Sequence, residues 1–458
     1  MKLYAQKSTG LIFSSTNASA TAEISEIVNW IIEPAFLHKR KFTPPLANIY
    51  FSIACFLSPV VGSAVSFVFN GGGLWSLVLI ALKRRRFNSD RPMLAMTAAI
   101  YAYCGANLLA SIINNSIVRD ASHLLSLVTF LIFPLSYSTW SISRKTTLVR
   151  VIIASSICAC LGALLLAIIQ QYWLGIRAKG GAGNAIVFAE VACLSVMICL
   201  TAIISGIEKA KGGVADAAVL AGTVAIIYSG SRILWLALLV AGIAVLVINL
   251  RGLKGTNAIR LLLLLVTTGV VSAVLGFRVI ADRADFLLAD WNSLTNHGDY
   301  GTALGLRVAL WDIGLKAFRE APLFGHGMGA VSPLMMKGFQ EQYGMTAGFS
   351  HFHNGFLTAL VGAGVLGAVT LAAVFVVAAR NAAKVLSTSI DPAERFGATM
   401  IVIVVITYLI AGMTGILVGH DILDSVLMIF LVTGTYLASG RTMALPETHI
   451  HPTASAAR

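Results

Sequence analysis

An all-α, polytopic membrane helix bundle of about twelve spans, with one long extracytoplasmic loop containing short helices, is the fold the sequence predicts. Three observations lead there. Hydrophobic residues fill 57% of the 458 positions and charged ones only 12%, with a mean hydropathy of +0.84, a balance that soluble domains rarely approach. Apolar runs of roughly 17–25 residues recur, the length that crosses a bilayer core of about 30 Å at about 1.5 Å per residue. Basic clusters return two spans apart, as the positive-inside rule requires of cytoplasmic loops.

Residues 1–45 read as a cytoplasmic segment, Ser/Thr-rich at its start, in which 23–37 could form an amphipathic helix lying on the membrane surface. Lys39 and its neighbours precede the first long apolar run, so no cleavable signal peptide is expected. Spans one to nine occupy 46–280. The first two form a hairpin over 46–82, between His38-Lys39-Arg40-Lys41 and Lys83-Arg84-Arg85-Arg86, with its turn near Gly62 or at Asn70-Gly71-Gly72-Gly73. Seven more are expected at 93–113, 121–141, 151–173, 184–205, 214–230, 233–250 and 259–280. Residues 281–352, which include Asp282, Arg283, Asp285, Asp290 and Arg307, are the one long polar stretch, and alternation places it outside. Within it Leu306, Leu310, Ile313 and Ala317 fall at helical spacing before Pro322, Gly325, Gly327 and Gly329 break the pattern. A short helix followed by a glycine-rich turn is expected. Spans ten to twelve lie within 353–440, at 353–379, 397–418 and 422–440, and 441–458 is a cytoplasmic tail.

A net charge of +13 would suggest nucleic acid as a partner of a soluble protein. Here most of the Lys and Arg sit in cytoplasmic loops, at Arg144-Lys145, Lys209 with Lys211, Arg251 with Lys254, and Arg380 with Lys384. The charge therefore orients the chain and needs no nucleic acid. All six cysteines fall in predicted spans and none in outer loops, which supports no disulfide framework, and they read as small core residues.

Three arginines fall on the outer side, against the positive-inside bias: Arg177 after the fifth span, Arg232 in Ser229-Gly230-Ser231-Arg232, and Arg307 at the start of the loop helix. One arginine at a helix end can simply snorkel to headgroups. Three on one face suit a diphosphate-linked lipid, because guanidinium forks match phosphate oxygens. The other signal is Ser350-His351-Phe352-His353-Asn354-Gly355, where the polar loop enters an apolar span. Asn354 is an N-cap candidate. A histidine beside a cap often serves structure, yet a neutral imidazole there could also take a proton from a sugar hydroxyl. Nearby residues offer no metal-ligand spacing, so no metal or other cofactor is expected. In the last outer turn, Gly419-His420-Asp421-Ile422-Leu423-Asp424, Asp421 or Asp424 is expected to cap the final helix.

In order and spacing, Ser229-Gly230-Ser231-Arg232, Arg307 to Trp311, Pro322-Leu323-Phe324-Gly325-His326-Gly327, His353-Asn354-Gly355-Phe356-Leu357 and Gly364-Val365-Leu366-Gly367 resemble the O-antigen ligase and O-antigen polymerase superfamily over roughly 175–370. The resemblance implies a metal-independent glycosyltransferase in the bacterial inner membrane, and the count of twelve spans puts both termini in the cytoplasm. It would use an undecaprenyl-diphosphate-linked glycan at the periplasmic face. His353, or else His351, would activate the acceptor hydroxyl; Arg232, Arg307 and Arg177 would bind the diphosphate; Asn354, Gly325 and Gly327 would support the site. The chain departs from the family at Ala363, where an acidic residue is common, and at Gly183-Asn184-Ala185, a partial match to an asparagine-containing turn.

Three functions are compatible with these features. A ligase would transfer the glycan to lipid A–core, and a polymerase for O-antigen or exopolysaccharide would extend it on the carrier. A flippase or other transporter should instead carry ionisable groups at mid-span, where Glu190 is the one exception found. The single long loop immediately before the His motif favours the ligase.

Overall fold

The computed structural model describes residues 55–207, 213–250 and 255–443. The expected surface helix at 23–37, the opening of the first hairpin, Lys209, Lys211, Arg251, Lys254 and nearly all of the tail lie outside the described residues. Every regular element among the described residues is helical.

After a single helical turn at Ser58–Val61, the chain forms α1 (Ala64–Ala81), α2 (Arg91–Ile113), α3 (Ile117–Ser126), a turn at Val128–Leu131 and α4 (Phe133–Trp140). There follow α5 (Lys145–Ile168), α6 (Ala185–Ser205), α7 (Val214–Tyr228), α8 (Arg232–Asn249) and α9 (Thr256–His297). The rest comprises α10 (Ala303–Glu320), α11 (Val331–Tyr343), α12 (Gly355–Thr388), α13 (Pro392–Gly412) and α14 (Asp421–Ser439). Nine of these, α1, α2, α5, α6, α8, α9, α12, α13 and α14, are long and apolar enough to span a bilayer; α7, at 15 residues, is a shorter apolar helix. The chain is a multi-pass helical membrane protein.

Burial separates the centre from the rim. In α14 94% of the most apolar stretch is enclosed by protein and in α6 89%, against 17% in α9. The central helices therefore pack on neighbours all round, while α9 offers Leu262, Val266, Val270 and Phe277 to lipid. A second, smaller core joins α10, α11 and the start of α12 through Leu310, Ile313, Met335, Phe339, Phe352 and Leu357. The predicted inward face of the loop helix is thus observed, over the longer span 303–320.

Several boundaries differ from expectation, each for a local reason. Asn70-Gly71-Gly72-Gly73 makes no turn but continues α1, and Gly73 gives room for Ile132, whose side chain lies 2.6 Å from where a Cβ would stand. A turn at Gly62, at a φ of 68°, separates the helical turn Ser58–Val61 from α1. The expected span 121–141 is split into pieces; Pro134 lacks an amide and disfavours a helical predecessor, which fits the break at Ile132. The polar stretch does not begin with a loop at 281, because α9 runs on to His297 before Gly298 ends it at a φ of 63°. Residues 281–297 contain neither Gly nor Pro; polarity ends the apolar surface there without ending the helix. Likewise α12 extends past 379 to Thr388. Cys158 is exposed on α5 and so is no core residue.

The most consequential departure lies inside α12, where Ala363 and Gly364 leave helical geometry, Gly364 at a φ of 64°. The missing hydrogen bonds are supplied by the glycine-rich turn. The amides of His326 and Gly327 donate to the carbonyls of Val361 and Gly362, both at 2.9 Å, and the amides of Val365 and Leu366 donate to those of Pro322 and Leu323, at 2.8 and 3.3 Å. Gly325 has to be glycine for this fit: its φ is 63°, and a Cβ would lie 2.6 Å from Gly364 N. Gly364→Ala should destabilise the detergent-solubilised protein by about 1–3 kcal/mol, whereas Gly71→Ala, in open space within α1, should be neutral or stabilising by up to about 1 kcal/mol. Thermal unfolding of the two variants checks this, and equal shifts in melting temperature would refute it.

Candidate active site at one end of the bundle

The end of the bundle bearing the N-termini of α6, α8 and α12 collects the charged groups. After α5 a π-helical turn at Ile169–Trp173 leads to Arg177. Its Nε donates to Ser229 O at 2.8 Å and its Nη2 to Ser231 Oγ at 3.4 Å, while the Ala178 amide donates to Tyr228 O at 3.2 Å. This docks the Arg177 loop onto the tight turn 229–231, where Gly230 adopts a φ of 62°. The turn starts α8 with Arg232, whose Nη1 donates to Arg283 O on α9 at 2.8 Å.

Arg177, Arg232 and Arg307 therefore do come together, joined by Arg283. Burial first, and then the positive charges of Arg283, Arg307 and Arg232, lower the pKa of Arg177 to about 10. Arg307 is lowered too, first by burial and then by Arg232, with Asp290 opposing. At about 10, Arg177 is still protonated at neutral pH. Against them stand Asp290 beside Arg307 and Asp282 beside Arg283. Like charges held in a desolvated cluster are costly, and an anion between them would relieve that cost.

The histidines border this cluster. Asn354 caps α12 as expected, its Oδ1 accepting from the amides of Phe356 and Leu357, both at 3.1 Å. The Thr358 hydroxyl accepts from the Phe352 amide at 3.2 Å and donates to Asn354 O at 2.8 Å, bracketing the residue between. That residue, His353, has a φ of 46°, a left-handed conformation for a side chain with a Cβ. Its ring meets those of His351 and Phe349 edge-on at 4.5 and 5.3 Å between centroids. Nδ1 is buried without a hydrogen-bond partner. Burial, then the charge of Arg307, lowers the His353 pKa and keeps the imidazole neutral. Burial, with His353 and His420 adding, takes His351 to about 4.

In the last turn His420, not an aspartate, occupies the N-cap position of α14 and makes no side-chain cap bond. Asp424 instead accepts from the Gly419 amide at 3.0 Å. Arg283 was legible as an arginine just beyond an apolar run, but the expected loop boundary concealed that α9 carries it to Arg232. The corner between α2 and α3 gave no such signal. Asp120, fully buried, accepts from the hydroxyls of Ser111 and Ser116, both at 2.7 Å, from Arg119 Nε at 3.1 Å and from the Gly329 amide at 3.0 Å. Arg119 Nη2 donates to His326 O at 2.6 Å and Asn114 Nδ2 to Gly325 O at 3.0 Å. The α2–α3 corner thus clamps the turn that fills the break in α12, with Gly327 at a φ of 90° between the two contacts.

Such a membrane bundle, with a cationic cluster and a neutral histidine at one end, has the makings of a site for an anionic lipid-linked substrate. Residues 217–372 match a family described as O-antigen ligase, so this stretch is similar to a domain of ligases and polymerases of the glycosyltransferase type. The matched stretch runs from α7 into α12 and contains Arg232, Arg283, Arg307 and His353. A Haemophilus influenzae protein described as uncharacterized is 25% identical over 329 residues, covering 69% of this chain and 76% of its own length.

Asp120→Ala should cost about 1–3 kcal/mol by stranding the Gly329 amide and two buried hydroxyls, and should speed hydrogen exchange at Gly327–Ala330 selectively. Unchanged exchange in that segment would show that the clamp does not hold the turn.

Proposed function

We propose that the chain is an O-antigen ligase-like glycosyltransferase, which transfers a glycan from undecaprenyl diphosphate to lipid A–core or a similar acceptor at the periplasmic face of the inner membrane. One observation carries the reading: a neutral histidine lies within the field of an under-compensated arginine cluster, inside a domain of the O-antigen ligase family. In the proposed reaction His353 Nε2 takes the acceptor's hydroxyl proton as the oxygen attacks the anomeric carbon. The bond from that carbon to the diphosphate breaks, and its electron pair leaves with undecaprenyl diphosphate. Charge grows on the diphosphate as the bond breaks, so fixed guanidiniums at Arg177, Arg232, Arg283 and Arg307 stabilise the transition state more than the ground state. His351 packs against the His353 ring and orients it.

His353→Ala should abolish transfer while the protein still inserts and accumulates. Arg232→Lys should fail as well, since it keeps the charge but loses the fork. Wild-type turnover in either variant, measured with purified protein in proteoliposomes, would remove the role assigned to that residue. Reconstitution with a lipid-diphosphate glycan and lipid A–core separates the chemistries: transfer to the core marks a ligase, and elongation on the carrier a polymerase.

The pH dependence has a defined sign. The reactive form of His353 is neutral, so kcat/KM should fall on the acid side as His353 protonates, at a pH below the ordinary histidine range. Arg307 disfavours the imidazolium; Arg307→Gln should raise the pKa and move the acid limb to higher pH, whatever its effect on absolute rate. An unmoved or oppositely moved limb would argue against His353 as the titrating base.

A further inference from the structure

A cavity of about 490 Å³ lies between α7 and α9, lined by Asp216, Leu220, Arg260, Leu263 and Thr268 among others. It sits near the N-termini of both helices, at the opposite end of the bundle from Arg232 and Arg283. Its walls are largely aliphatic, with one ion pair at its rim: Arg260 Nη2 and Nε both donate to Asp216 Oδ2, at 2.7 and 3.1 Å.

Two polar groups on this wall are unfulfilled. Both donors of Arg260 engage one carboxylate oxygen, so Asp216 Oδ1 is buried without a partner. Thr268, only 7% exposed, has a hydroxyl without a partner, where a helical threonine commonly bonds to the preceding turn. Depth sharpens the mismatch. The 15 residues of α7 span about 22 Å, short of a hydrocarbon core of about 30 Å. Asp216 stands about 18 Å of helix before the arginine end of α7, less than the thickness of that core. Yet Arg260 is 43% exposed there. A charged pair at that depth draws polar lipid groups to it.

We infer that this cavity is a specific site for a phospholipid with a primary-amine headgroup, in the leaflet opposite the arginine cluster. The ammonium pairs with the Asp216 carboxylate, the phosphate accepts from the remaining face of Arg260, and an acyl chain lies along Leu220, Leu263 and Leu264. Thr268 sits about 12 Å further along α9 than Arg260, where its hydroxyl can donate to an ester oxygen. A quaternary ammonium headgroup has no N–H for Asp216, and a glycerol headgroup carries no cation. Both should bind less well.

The inference is independent of the transferase reading and is tested without turnover. Full-length protein is reconstituted in nanodiscs of phosphatidylethanolamine, phosphatidylcholine and phosphatidylglycerol in equal parts, and the lipids that survive stepwise delipidation are identified by native mass spectrometry. Phosphatidylethanolamine should be retained about tenfold over the other two. Asp216→Asn should erase its advantage over phosphatidylcholine. Leu263→Trp, at a 60% exposed position where folding is not at stake, should fill the groove and abolish retention. Equal retention of all three lipids by the wild type would overturn the proposal, as would a preference that survives both substitutions.

Discussion

A helix cannot be interrupted within a bilayer unless other groups take over its backbone hydrogen bonds, because hydrocarbon supplies none. That constraint organises this molecule. The break at Ala363–Gly364 frees two carbonyls and two amides, and the turn 322–327 satisfies all four. The turn has to be brought there and held, which ties α10 and α11 to α12 through a shared core and ties the turn to α2 and α3 through Asn114, Arg119 and Asp120. A polar segment that could have been a loose loop becomes a rigid element of the bundle end.

Rigidity has an electrostatic counterpart. Two of the arginines are held by backbone carbonyls and not by a carboxylate that would neutralise them: Arg177 by Ser229 O, Arg232 by Arg283 O. A carbonyl orients a guanidinium without cancelling its charge, so the cluster keeps an unspent field. Arg260 at the opposite end shows the contrast, since two of its donors go to one carboxylate oxygen. A cation held by a carbonyl keeps its full charge, whereas a paired arginine has part of its charge offset.

Much of the frame could be read from the sequence because hydrophobic length and basic-residue spacing are local signals. The apolar face of Leu310, Ile313 and Ala317 and the cap at Asn354 were local in the same sense, and the structure has both. Helix ends were harder to read. Hydropathy reports where a helix leaves lipid, not where its hydrogen bonds stop, and the seventeen residues of α9 after Ile280 fell in that gap. The α12 break was hidden for a different reason. Gly364 is one glycine among several in an apolar run, and its left-handed geometry depends on backbone from forty residues earlier. Asp120 was invisible for the same cause, as its key acceptor contact reaches Gly329 across the fold.

The position of His353 follows from the same economy. It lies at a junction where the chain must pass from an extended loop to a capped helix, with Thr358 bonded to the residue on either side. The left-handed φ there costs of the order of 1–3 kcal/mol, and the two Thr358 bonds with the Asn354 cap are of a size to offset it. A base on a flexible loop could turn from a field of positive charge. A histidine locked at a helix start cannot, and burial, with Arg307 beside it, lowers its pKa and favours the neutral imidazole. In the proposed reaction, the Arg307 guanidinium that would attract a diphosphate would thus also help keep the neighbouring nitrogen free of a proton, coupling donor recognition to readiness for proton transfer.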